Sequence, residues 1–173
     1  NDPFNIYNDP SWKPLLDLAR DKTDRIVQLP VRFTDSQDDP IEQLTQTHTY
    51  YDEKGSLFTE TRIRAQGRIL KKKTRRDRHT NTVWTLEHLL KDIDDLRAYL
   101  KLPEPLCQAR PDISEILDAE EKLAQTGIVM IDTPDPLCVA AGLFEMGTYT
   151  VIAMTEQKLF TELLERIAHS IYF

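Results

Sequence analysis

The chain has 173 residues, 40% of them hydrophobic, which is enough to bury one core and too much for a disordered polymer. Its net charge of −7 lacks the basic footprint of a dedicated nucleic-acid or membrane-surface binder. No apolar run approaches the roughly 18 residues of a membrane span, and no basic flank followed by an apolar stretch opens the chain, so a cytoplasmic location is expected.

Asn-Asp-Pro occurs at 1–3 and again at 8–10, and Ser11 is placed to cap a helix through Arg20 with Trp12, Leu15, Leu16 and Ala19 on its apolar face. Residues 25–33 have strand composition, and Pro30 confines them to an edge or bulged strand. From Thr47 to Trp84 the period becomes that of strands. Residues 47–52 and 57–65 read as a hairpin turning at Gly55, and Gly67 marks a second bend before 68–74. Within this ribbon nine Lys or Arg residues fall between Arg62 and Arg78, opposed only by Asp77.

After Trp84 the spacing of Leu86, Leu89, Leu90, Ile93, Leu96 and Leu100 predicts a helix capped by Thr85, with a break possible near Lys91 and an end at Pro103 and Pro105. Asp112-Ile-Ser-Glu115 resembles a capping box for a helix to Thr126 that Gly127 stops. Ile128 to Ile131 is a short apolar run, as expected of a buried parallel strand. A helix over 136–146, a strand over 149–154 and a last helix capped by Thr155 complete the pattern, whose order favours an α/β fold. In that last helix, Leu159, Phe160, Leu163, Leu164 and Ile167 form one wide apolar face.

Residues 82–100, with Trp84, Glu87-His88 and Lys91-Asp-Ile-Asp-Asp-Leu96, and residues 127–144, from Gly-Ile-Val-Met-Ile-Asp through Thr-Pro-Asp-Pro to a small-residue helix, resemble the uroporphyrinogen decarboxylase-like superfamily. The likeness covers roughly the last two-thirds of the chain. It implies a partial (β/α)8 TIM-type barrel with an inserted antiparallel β-hairpin flap. Because a complete barrel takes about 250 residues, residues 1–173 are expected to be a single incomplete barrel domain. Residues 47–84 would be the basic flap and 85–173 the βα units. The parent enzyme would decarboxylate, or transfer a methyl group on, an anionic substrate related to tetrapyrroles or corrinoids. This chain alone would not turn over. The resemblance implies no cofactor within these residues, with zinc or a corrinoid belonging to the longer parent. Open strand edges would favour a homo-oligomer.

Asp132 follows the predicted strand at 128–131, where barrel enzymes carry their chemistry, and is the candidate catalytic carboxylate. Asp132 could equally cap the following helix or form an Asx-turn before proline; Asp135, in the Thr133-Pro-Asp-Pro136 turn, is a candidate substrate contact and the better placed of the two as the cap. Arg62 and Arg64 are candidate substrate-binding residues, since a guanidinium offers a carboxylate two parallel hydrogen bonds. The expected partner is an anionic small molecule, with neither nucleic acid nor membrane involved. The competing account of the ribbon is a solvated sheet face whose lysines guard an edge. The four histidines have no metal-ligand spacing, and Cys107 and Cys138 read as ordinary thiols. Tyr50, Tyr51, Phe58 and Trp84 read as cross-strand packing residues that could also line a flat pocket. The alternative function is a non-enzymatic α/β domain that binds a protein or polyanionic partner through the ribbon.

Overall fold

A computed structural model describes residues 5–34, 40–104 and 110–172; Pro105, Cys107 and the first Asn-Asp-Pro tripeptide lie outside the described residues. In chain order the elements are α1 (Lys13–Lys22), β1 (Arg25–Pro30), β2 (Arg32–Thr34), β3 (Thr45–Tyr51), β4 (Leu57–Ala65), β5 (Arg68–Arg76) and β6 (Val83–Glu87). There follow α2 (Ile93–Leu100), β7 (Arg110–Asp112), α3 (Ser114–Leu123), β8 (Gly127–Asp132), α4 (Pro136–Leu143), α5 (Met146–Thr155) and α6 (Gln157–Tyr172). They form two compact units, Asn1–Asp35 with Ala109–Thr133 and Ser36–Gln108 with Pro134–Phe173.

In the first unit Asp9, not Ser11, begins the helical segment. Its carboxylate accepts the Ser11 N–H at 2.9 Å, and a 3-10 turn at Pro10–Trp12 leads into α1. β1 pairs with β8 in parallel, from Arg25 opposite Gly127 to Pro30 opposite Asp132. Beyond Pro30 the predicted single strand breaks, and β2 pairs antiparallel with β7 instead. α3 ends at Ala124, whose φ of +48° is the left-handed stop; Gly127 is extended at φ 168°.

The second unit is built on the ribbon. β3, β4, β5 and β6 form a four-stranded antiparallel sheet in sequence order. Gly55 (φ +80°) turns the first hairpin, where Asp52 accepts the Lys54 and Ser56 N–H groups at 2.9 and 2.8 Å. The second hairpin turns on Gln66 and Gly67, both at positive φ, the pair of values that matches the twist of the flanking strands. One face of the sheet contributes Ile63, Ala65 and Leu70 to a core completed by Leu96 of α2, Ala140 of α4, Ile152 of α5, and Leu163 and Ile167 of α6, with Phe144 between α4 and α5. Leu159, Phe160 and Leu164 pack against it partly buried, so α6 presents the face its spacing predicts.

The Lys-Asp-x-x-Asp-Leu segment is a helix start. Asp92 accepts the Asp95 N–H at 2.7 Å and Asp95 reaches back to the Lys91 N–H at 3.0 Å. Arg68, just past the second hairpin, ion-pairs with Asp92, Asp94 and buried Asp95 at 3.3, 3.6 and 3.0 Å. The arginine supplies the countercharge that Asp95, 5% exposed, needs away from water.

Several expectations are corrected. The partial (β/α)8 barrel does not form: the sheets have two, two and four strands, and β1–β8 is the only parallel strand pair among the described residues. Residues 47–76 form the expected antiparallel ribbon. Consecutive βα units must pair their strands in parallel to build a barrel, whereas within 85–173 β6 and β7 pair antiparallel with β5 and β2, β8 has its parallel partner in β1, and 149–154, read as a strand, is helix α5. The mixed α/β composition stands. β8 is parallel but not buried, with Ile128 57% and Ile131 53% exposed. Residues 85–87, read as the cap and first turn of a helix, continue strand β6 from Val83 and Trp84, and α2 begins only after the Asp92 cap.

Candidate anion-binding face

Strand alternation sorts the ribbon into two faces, and the register aligns residues into rows across the strands. On the face opposite Ile63 and Leu70 the first row is Tyr50, Phe58, Arg75 and Trp84. The second is His48, Glu60, Lys73 and Glu87, and the third is Gln46, Arg62 and Lys71; Arg64 and Ile69 follow. A register shift at Lys73/Thr74 inserts Leu86 as an extra residue, which lets Trp84 and Glu87, an odd number apart, share the face. The reverse face carries a row of four threonines, Thr49, Thr59, Thr74 and Thr85, and also Tyr51.

Five cations (Arg62, Arg64, Lys71, Lys73, Arg75) therefore meet two carboxylates (Glu60, Glu87) on one face. Lys73 is the hub: its ammonium donates to the Tyr50 hydroxyl at 2.9 Å, pairs with Glu60 at 3.0 Å, and lies 5.6 and 5.2 Å from the Tyr50 and Phe58 ring centres. Those rings stack at 5.3 Å with planes 7° apart. The Tyr50 hydroxyl, then Glu60, hold the Lys73 pKa above its ordinary value, and the Lys73 hydrogen bond holds Glu60 below the usual carboxylate range. Glu87 is pushed up by burial, but hydrogen bonds from Lys71 and Lys91 outweigh this and leave it lowered.

The cations differ in what remains open to a ligand. Lys73 and Lys71 are engaged by Glu60 and Glu87, and Arg75 donates to Asp77 at 3.3 Å. Arg62 touches Glu60 only at 3.5 Å and is 55% exposed, and Arg64 is exposed with no ion pair among the described residues. A carboxylate or phosphate approaching from solvent meets these two guanidinium groups first.

Of the four residues singled out from sequence, Arg62 and Arg64 thus share a face two residues apart along β4. Asp132 ends β8 in the first unit, exposed and opposite Pro30. Asp135 accepts the Leu137 and Cys138 N–H groups at 2.8 and 3.1 Å and caps α4, with Pro136 at the first helical position. The Glu87-His88 pair has packing partners: Glu87 bridges Lys71 and Lys91, and His88 Nδ1 lies 3.4 Å from the Gly142 carbonyl. The sequence reading missed that Lys73, Tyr50 and Trp84 lie on the face of Arg62. Alternation supplies Tyr50 and Lys73 once the turns are set, whereas Trp84 depends on β6 pairing with β5, and Glu87 on the register shift.

Among the described residues no group of three or more His, Cys, Asp or Glu is placed to hold a metal ion, and no helix is long and apolar enough to cross a membrane. Cys138 is a free, exposed thiol. Comparisons with family models, with curated proteins and with solved structures found no match.

Proposed function

We propose that the four-stranded sheet is the substrate-recognition face of an enzyme of the uroporphyrinogen decarboxylase-like kind, which decarboxylates or transfers a methyl group on an anionic substrate related to tetrapyrroles or corrinoids. The observation that carries the reading is the excess of cations on one open face, with Arg62 exposed beside a 3.5 Å contact to Glu60 and Arg64 exposed without an ion pair among the described residues. Asp132 belongs to the first unit, where it ends a parallel strand, and a proton-handling role is assigned to it on the strength of the resemblance, separately from the recognition face of the second unit. Asp135 serves the helix first, and any contact it makes with substrate uses the carboxylate oxygen that its cap bonds leave free.

The test is a titration of the chain with a carboxylated tetrapyrrole at low and high salt. Replacing Arg62 or Arg64 by Lys should weaken binding by about tenfold despite the retained charge, because the planar two-donor fork is lost. Arg→Lys changes that are silent, combined with affinity that collapses with salt, would instead describe a diffuse positive field and remove both residues from the site.

A further inference from the structure

The row Tyr50, Phe58, Arg75 and Trp84 has no counterpart in a purely electrostatic anion site. Trp84 lies on edge strand β6 with half its surface, 51%, in water, and its cross-strand neighbour is the Arg75 side chain. It has no aromatic ring partner among the described residues. Solvation of an indole over so much of its area is unfavourable, and a flat ring laid against it removes apolar surface from water on both partners. On the same face, successive same-side residues of a strand are separated by about 7 Å. Lys73 therefore lies about 7 Å and Arg62 with Lys71 about 13 Å along the strands from the aromatic row.

Resting on the anion-face reading, we propose that Trp84 and its row form a ring-stacking subsite, so that the ligand of this face is an extended aromatic acid: a flat conjugated ring seated at Trp84, with acidic groups reaching past the middle row to exposed Arg62 and Arg64. An aliphatic polyanion of equal charge satisfies only the cationic rows. Single-stranded nucleic acid also combines rings with anions, but the carboxylates of Glu60 and Glu87 sit in the middle row, where a continuous phosphate backbone running along the strands would meet like charge.

The experiment compares calorimetric affinities of tetracarboxyphenylporphyrin, butanetetracarboxylate and a short single-stranded oligonucleotide for the full chain at one salt concentration. The porphyrin is expected to bind at least tenfold more tightly than the aliphatic acid. Trp84→Leu should erase about that factor for the porphyrin and leave the aliphatic acid unchanged, while Trp84→Phe, which keeps a ring, should retain most of it and guards against a misfolded variant. Equal affinities for the two acids would overturn the stacking subsite and leave the anion face standing. Binding of neither would overturn the anion face itself. Tighter, Trp84-dependent binding of the oligonucleotide would replace the aromatic acid with a nucleic acid as the ligand.

Discussion

At Gly127 the backbone is extended, a conformation open to any residue, yet a Cβ there would lie 2.2 Å from the Arg25 carbonyl oxygen and 2.8 Å from Leu123 Cδ2. The glycine is required by close approach of β1 and α3, not by dihedral angle. Gly67 is the converse: φ is +87°, and nothing lies within 4 Å of the position a Cβ would take. Gly127→Ala should therefore cost more than about 2 kcal/mol by forcing β1 away from β8, and Gly67→Ala about 1 kcal/mol of backbone strain. Urea unfolding of both variants, followed by Trp12 in the first unit and Trp84 in the second, checks the order. From sequence Gly127 reads as a helix stop; its spatial role depends on a strand about a hundred residues away and leaves no local mark.

The helix starts show the same division at the scale of elements. Asp135 before Pro136 is legible as a cap because the cap bonds are local. Glu145, which accepts the Gly147 and Thr148 N–H groups at 2.9 and 3.2 Å to start α5, was hidden by the β-branched run after it, which mimics a strand. The Gly147 bond, then the Thr148 bond, holds the Glu145 carboxyl below its ordinary value. A depressed carboxylate adds stability that is present above its unfolded pKa and lost as pH falls through the folded one. Glu60 acts in the same direction, while Lys73, with a raised pKa, keeps its contribution throughout this range and loses it only in strong alkali. The urea midpoint should accordingly stay level from pH 7 to about 5.5 and drop below that. Glu145→Gln, which retains an acceptor but no titrating group, should drop less steeply; an unchanged slope would show that the cap contributes nothing to acid sensitivity.

Burial divides the whole molecule unevenly. Thirteen buried apolar side chains belong to the second unit, and Leu123 is the only one among the described residues of the first. Ile26, Ile128, Met130 and Ile131 stay exposed on the β1–β8 pair, although parallel strands are ordinarily covered on both faces. Local stability follows buried contacts, so the amides of β1 and β8 should exchange with solvent at least about a hundredfold faster than those of β4 and β5 around Ile63 and Leu70. Hydrogen exchange resolved by peptide measures this directly. Equal protection in the two units would mean that the first gains stability from something other than its own core.

The sequence by itself determined what neighbours along the chain decide: the Gly55 and Gly67 turns, the alternation that puts Arg62 and Arg64 on one face, and the apolar stripe of α6. Each depends on φ preferences or on a period of two or 3.6 residues, which are readable within a dozen positions. Tertiary structure alone decided that 85–87 continues β6 as a strand paired with β5, that the apolar 149–154 stretch is a helix, and that β1 has β8 as its one parallel partner among the described residues. Those outcomes depend on which distant backbone satisfies an N–H or C=O and on which surface is covered on every side, quantities absent from local pattern. The cationic and aromatic rows arise at the meeting of the two: alternation supplied the residues, the β5–β6 pairing put Trp84 in line with Arg75, and the Lys73/Thr74 register shift brought Glu87 onto the same face.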